Sequence, residues 1–291
     1  MGSLNRREFL GTVAATAAAS GKARKVTMAA HVWVYAATLP EYDVTPLLDQ
    51  IFGDLRYAGI DAVELMEVVM RRDGAVQRIR EVSKKHDLPV IGMSYNAPMW
   101  DRDRHPVILK EAPMLIGRLS EVGGRELGLT VGDARRQKTA QELDAQAEIL
   151  RKIMAICKEN GVVANLHNHI FEVANSEYDL KGTLARVPDV KLGPDFDWLV
   201  GAKVDPVDFI HRYGNRIVYG HIRDRRKDGV WVEAVGEGDT NLAAIGRALH
   251  EIHFAGDLAI ELAHPNNFKL TRPLRESFKI SRDYVRRVMG Y

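Results

Sequence analysis

The sequence predicts a single-domain α/β protein folded as a (β/α)8 TIM barrel. Three observations carry that expectation. Eight short apolar runs recur along the chain, each is followed by a helical pattern, and no Gly-x-Gly-x-x-Gly follows the first run, where a doubly wound dinucleotide-binding sheet would carry it. A length of 291 residues suits one large barrel or two small domains, but no linker or low-complexity stretch divides it.

Strands are expected at 26–34, 60–66, 88–94, 125–131, 162–168, 190–195, 216–222 and 257–262. The helical pattern between them is clearest over 139–160. There Thr139 and Glu142 have capping-box spacing, apolar residues recur at Leu143, Ala147, Leu150, Met154 and Cys157, and Gly161 offers a left-handed stop. Cys157, the single cysteine, cannot form an internal disulfide, and its place on this apolar row predicts a buried, inert thiol.

Residues 1–23 differ from the rest and form a separate unit ahead of the barrel domain at 24–291. Arg6-Arg7-Glu8-Phe9-Leu10 leads into the small-residue run 11–19, which is too short and too weakly apolar for a permanent membrane span and predicts no stable membrane anchor. This segment looks like a bacterial twin-arginine export signal, cleaved between Ala17 and Ala23, and predicts a periplasmic protein. Arg6, Arg7 and Lys22 against Glu8 account for the formal net charge of +2, so the barrel is balanced and no nucleic-acid-binding face is expected.

In such a barrel the C-terminal ends of the strands surround the active site. Strand five closes on Asn165-Leu166-His167-Asn168-His169 with Glu172 beyond, and strand six on Asp195-Phe196-Asp197-Trp198. Strand seven closes on His221-Ile222-Arg223-Asp224, and strand eight on Glu261-Leu262-Ala263-His264. Strand alternation places His167 and His169 on one side, and Asp195 and Asp197 likewise. Imidazoles and carboxylates from adjacent strands suit a divalent cation, which would also relieve repulsion among Asp195, Glu261 and Glu172. The first half differs: His31, Trp33 and Tyr35 on strand one, Glu64 on strand two, and Tyr95, Asn96 and Trp100 around the end of strand three. Aromatic rings with a few polar groups suit a sugar. His31, Trp33, Tyr35, Glu64, Tyr95, Trp100, Arg223 and His264 are the candidate substrate-binding residues.

Phe196-Asp197-Trp198, Gly220-His221-Ile222-Arg223-Asp224, the turn Val235-Gly236-Glu237-Gly238-Asp239 and Ile260-Glu261-Leu262 resemble the xylose isomerase-like TIM barrels of the sugar phosphate isomerase/epimerase superfamily, over about residues 26–290. The resemblance implies one divalent metal, manganese first and magnesium, cobalt or zinc as alternatives, with Asp195, His221 and Glu261 at the ligand positions of strands six to eight. Sugar epimerases of the family carry a glutamate on strand five. This chain instead has His167, His169 and Glu172 as candidates for the fourth ligand. Aligning the Asn residues of the two motifs puts His167 at the glutamate's position and leaves His169 as base, with Glu261 and Glu172 as further catalytic candidates.

The expected function is a metal-dependent isomerase or epimerase acting on a sugar or keto-sugar, by removal of a proton beside a carbonyl through an enediolate. With histidine in place of one glutamate, a 3-keto-glycoside lyase or hydrolase is the alternative. A non-catalytic exported sugar-binding protein and a DNA-repair endonuclease of the same fold are the others, the last opposed by the charge balance. A homo-oligomer is compatible with all of these.

Overall fold

The computed structural model describes residues 26–265 and 268–291. The export-signal segment lies outside the described residues. Eight parallel strands form the barrel: β1 Met28–His31, β2 Ala62–Met66, β3 Val90–Asn96, β4 Glu126–Thr130, β5 Val163–Leu166, β6 Lys191–Leu192, β7 Tyr219–Ile222 and β8 Asp257–Ile260. Helices α1 Trp33–Ala36, α2 Leu48–Ala58, α3 Glu67–Arg71, α4 Ala75–His86, α5 His105–Glu121 and α6 Ala140–Glu159 accompany the first half. Helices α7 Ile170–Arg186, α8 Phe196–Gly201, α9 Pro206–Tyr213, α10 Leu242–Glu251 and α11 Leu274–Met289 accompany the second. The expected single-domain (β/α)8 barrel is present. Among the described residues no helix is long and apolar enough to cross a membrane.

The hydrogen-bonded order is β6-β5-β4-β3-β2-β1-β8-β7. Between β6 and β7 the ring closes only through isolated bridges, Leu192 with Ile217 and Asp195 with His221. Two residues of sequence explain the short β6. Pro194 has no N–H to give to a ladder, and a Cβ on Gly193 would lie 2.0 Å from Asn165 Oδ1, so Gly193 yields that space to Asn165.

Strand alternation builds the interior in layers. Ala29, Ala62, Ile91, Tyr219 and Ala259 pack together as the floor. Two residues further along β1, β2 and β7 stand His31, Glu64 and His221, and Glu261 follows Ala259 at the end of β8. The outward side chains, among them Leu65, Met93, Leu127 and Ile260, join Phe52, Phe209 and Phe278 of the helices in the main core. Each fully buried Phe or Leu there contributes roughly 1.5–3 kcal/mol.

α6 carries the expected capping box: Glu142 N–H donates to Thr139 Oγ1 at 3.2 Å and Thr139 N–H to Glu142 Oε2 at 2.8 Å. Cys157 is buried, which pushes its thiol up to about 12. The first expected strand is shortened. The run 26–34 is apolar but for Thr27 and His31, yet the chain leaves the sheet after His31 and winds into α1, so Trp33 and Tyr35 stand on a helical turn instead of a strand.

Candidate metal centre

His167, Asp195, His221 and Glu261 each present one nitrogen or oxygen, and these atoms all lie within 4.8 Å of one another. Each comes from the C-terminal end of its own strand. His221 is inside β7, while His167, Asp195 and Glu261 follow the last residues of β5, β6 and β8. Asp195 is fixed twice. Its Oδ1 caps α8, accepting from the N–H groups of Asp197 at 2.9 Å and Trp198 at 3.0 Å. Its backbone exchanges hydrogen bonds with the Asn168 amide, N–H to Oδ1 at 3.2 Å and Nδ2 to the carbonyl at 3.3 Å. No role was expected for Asn168, whose signal was only its place between two histidines.

Charge is concentrated here. Arg223 is 5% exposed and bridges two of the carboxylates, donating Nε to Asp195 Oδ2 at 2.7 Å and placing Nη2 2.6 Å from Glu261 Oε1. His221 Nε2 lies 2.7 Å from Glu64 Oε2, and Nδ1 lies 2.9 Å from Glu261 Oε2. Burial disfavours a charged His221, but Glu64 and Glu261 outweigh it and push the imidazole up to about 10. Burial alone would raise Glu261; Arg223, His31 and His221 hold it well below the usual carboxylate range. Asp195 goes the other way, pushed up to about 6 by burial against the help of Arg223. His167 is driven well below its ordinary value by burial and by neighbouring His221 and His169.

This donor set fits a divalent cation. Two imidazoles and two carboxylates are a borderline-metal set, and His167 Nδ1 is buried with no hydrogen-bond partner. Charge agrees: Glu64 beside His221, with Asp195, Asp197 and Glu261 beside Arg223 and Arg225, makes four carboxylates to two guanidiniums, so a doubly charged ion with a neutral His221 leaves the buried group balanced.

His169 joins the cluster from the side. It is the N-cap residue of α7, its ring is 5.0 Å from that of His167, and it stacks on Phe171 at 5.7 Å. Its side chain is 36% exposed, Nδ1 lies 4.0 Å from Glu172 Oε2, and burial followed by Arg223 lowers it to about 4. Asp197, expected beside Asp195, turns away because α8 begins at Phe196 and ends the alternation. It is fully buried, gripped by the Arg225 guanidinium and accepting from Trp231 Nε1 at 2.9 Å. Trp198 and Trp231 meet edge to face at 5.3 Å, with Arg223 and Arg225 against both rings.

Other expected residues go elsewhere. Glu172 Oε2 accepts from His169 N–H at 2.7 Å, closing the N-terminus of α7, and burial pushes the carboxyl up to about 8. A raised acid favours the folded state fully below its unfolded value near 4.5, and that contribution is lost as pH rises through 8. Glu172→Gln is therefore expected to flatten the fall of the thermal midpoint between pH 5 and 8, read by scanning calorimetry; parallel wild-type and variant profiles would contradict it.

Tyr35 is not brought to the mouth. It donates to Asp54 of α2 at 3.1 Å and stacks on Phe278 of α11. Tyr95 is on the outward row of β3, where burial, and then Glu111 of α5 beside it, raise its phenol. Trp33 is half-buried against Tyr42 at 5.3 Å, and Trp100 sits after β3 with Arg136 5.8 Å from its ring. His31 stands 5.5 Å from His221, ring to ring, and its Nδ1 accepts from Trp33 N–H at 3.1 Å. His264 stacks on Phe268 at 4.6 Å in the loop after β8.

The turn 235–239 proves to be a carboxylate cradle. Asp224 accepts from the N–H groups of Gly236 at 2.8 Å, Gly238 at 2.9 Å and Thr240 at 3.1 Å. Gly236 has φ +102°, and a Cβ on Gly238 would sit 2.3 Å from Asp224 Oδ1, so both glycines are required by this wrap.

Comparisons with known proteins agree with this architecture. Residues 52–287 match the family model described as xylose isomerase-like TIM barrel. A sugar phosphate isomerase/epimerase from Parabacteroides distasonis superposes with a TM-score of 0.71 at 19% identity, covering 93% of this chain and 96% of that one. A D-allulose 3-epimerase from Methylomonas sp., solved with D-allulose, gives 0.71 at 15% identity over 91% and 98%. A 3-keto-D-glucoside 4-epimerase from E. coli gives 0.68 at 16% identity over 90% and 100%. No curated protein matches the sequence. With most of the chain covered by the family model and the same barrel in these structures, the chain belongs to the xylose isomerase-like TIM barrel family.

Proposed function

We propose that the protein is a divalent-metal-dependent enzyme of the sugar isomerase/epimerase type, removing a proton beside the carbonyl of a sugar or keto-sugar by way of an enediolate. The observation that carries this reading is the convergence of His167, Asp195, His221 and Glu261 at the barrel mouth. When bound, a divalent cation, manganese first among the candidates, supplies Lewis-acid polarisation of a carbonyl.

The chain's own residues do the rest. His169 stands beside the cluster at the start of α7 and is held neutral, its imidazole lowered to about 4, so it can accept a substrate proton without first losing one. Arg223 keeps guanidinium N–H groups between the cluster and the two tryptophans, where charge developing on a substrate oxygen would be met. Phe171, Trp198 and Trp231 offer apolar faces for sugar C–H groups and keep water from the cluster. The test incubates the metal-loaded protein with free sugars, keto-sugars and 3-keto-glycosides in deuterated water. Deuterium next to the carbonyl is the expected result, and no exchange with any of them would refute the reading.

One observation favours a second outcome on the same site. On the β5 side the groups are His167 and His169, where an epimerase of this type places a second glutamate, so proton removal from one face followed by elimination from a keto-glycoside is supported as well as two-sided inversion. Product analysis in the same assay separates the two.

We further propose that the protein is exported to the periplasm by the twin-arginine route, supported by Arg6-Arg7 ahead of a small-residue tract. Replacing both arginines with lysine is expected to trap a precursor in the cytoplasm. Wild-type protein left unprocessed in a host with an active pathway would refute this.

A further inference from the structure

We propose that Glu64 is a positioning residue for the metal centre: its carboxylate holds the His221 imidazole by Nε2, so that Nδ1 is presented to Asp195, His167 and Glu261. The inference rests on the metal-centre reading above and adds to it a fifth residue that touches neither the ion nor the substrate.

The geometry is specific. In the sheet order β2 is separated from β7 by β1 and β8, so Glu64 reaches His221 through the barrel interior and not along a neighbouring strand. It is 1% exposed, and a carboxylate buried that deeply must be paired. One oxygen, Oε2, takes both partners: it accepts from Tyr219 Oη at 2.9 Å and lies 2.7 Å from His221 Nε2. Tyr219 and His221 are two residues apart on β7, so consecutive inward side chains of that strand grip the same oxygen. Gly128 of β4 keeps the lane open. A Cβ there would meet Glu64 Oε1 at 3.7 Å and His167 Cβ at 3.9 Å, so Gly128 faces the space between the two residues.

His31 cannot substitute for Glu64. Its Nδ1 is engaged by Trp33 N–H and its Nε2 lies 3.1 Å from Ser94 Oγ. The consequence for His221 is a choice of tautomer and of ring orientation. With the Nε2 proton directed at the Glu64 carboxylate, Nδ1, 2.9 Å from Glu261 Oε2, is the nitrogen that would give its lone pair to a cation in exchange for its proton. Sequence reading places Glu64 among residues that meet substrate; its burial beneath His221 gives it a role acting through the histidine.

The test compares wild type with Glu64→Leu, Glu64→Gln and Tyr219→Phe, titrating each with Mn2+ by calorimetry, recording the absorption spectrum of each with Co2+, and measuring the thermal midpoint of each without metal. Glu64→Leu is expected to weaken Mn2+ binding by about 10–100-fold and to alter the Co2+ bands. Glu64→Gln keeps an acceptor for the imidazole N–H, so it should recover part of the loss. Tyr219→Phe leaves the imidazole contact in place and should bind Mn2+ nearly as wild type does. Wild-type affinity and spectrum in Glu64→Leu would overturn the proposal. Weakening in Tyr219→Phe equal to that in Glu64→Leu would overturn it as well, since a common packing defect would then explain both. Should Glu64→Leu not fold, Glu64→Gln decides: altered Co2+ bands with reduced affinity support positioning, and an unchanged spectrum and affinity refute it. A wild type that binds neither ion would remove the metal-centre reading itself, an outcome distinct from tight binding that the variants leave unchanged.

Discussion

Glu261→Ala is expected to abolish the proposed divalent-metal binding and to destabilise the protein by roughly 3–5 kcal/mol, the cost of removing one partner from a buried ion pair. Two groups lean on this carboxylate: Arg223 Nη2 is 2.6 Å from one oxygen and His221 Nδ1 is 2.9 Å from the other. Truncation removes one of the four clustered donors and strips the counter-charge from a guanidinium that is 5% exposed. Glu261→Gln keeps the shape and separates the effects, because it should fold closer to wild type and still fail to hold metal. Elemental analysis after dialysis reads the first effect and denaturant unfolding the second. Either variant retaining a wild-type metal complement would show that Glu261 is not a ligand.

His167→Ala and His169→Ala are expected to fail in different ways. His167 contributes to the four-group cluster, and its buried Nδ1 has no other use, so its loss should empty the protein of metal. His169 is outside that cluster and partly open at the mouth, so His169→Ala should keep its metal while solvent-deuterium exchange into substrate falls by about 10²–10⁴-fold, the usual worth of a positioned general base. The paired readout distinguishes roles that activity alone would merge. If His169→Ala loses metal and His167→Ala keeps it, the assignments are reversed. If both keep metal and full exchange, neither histidine is catalytic.

The barrel and the cluster were legible in the sequence for one reason: inward residues recur every second position, so the polar side chains closing four consecutive apolar runs had to converge. That rule brought the candidates to one mouth, while the choice of Asp195, His221 and Glu261 among them, and of His167 over His169 and Glu172, came from the resemblance to the family's motifs. The misplacements come where it stops. Trp33 and Tyr35 sit in an apolar run that looks like continued strand, but an apolar run does not distinguish a strand from a buried helical turn, and Tyr35 ends against α2 and α11. Tyr95 has the right strand and the wrong parity: Ser94, its neighbour, reaches His31 in the interior while Tyr95 faces Glu111. Asp197 was paired with Asp195 by alternation, which ended when Asp195 became a helix cap. Glu64 could not be assigned from sequence because its partner is across the barrel, a distance in space that no local pattern encodes.

The incomplete pairing of β6 with β7 gives the cluster a mechanical meaning. Eight strands make a hoop, and this hoop has one weak joint, where the sheet pairing is reduced to the bridges Leu192–Ile217 and Asp195–His221. His167 and Asp195 stand on one side of the joint, and His221 and Glu261 on the other. Arg223 with Asp195, Arg225 with Asp197, and Trp231 with Trp198 are fastened across it too. Any cation that engages all four groups is thus a clasp on the hoop as well as a site for chemistry. Its binding energy and the closure of the barrel would draw on the same free energy, with stability rising as RT ln(1 + [ion]/Kd).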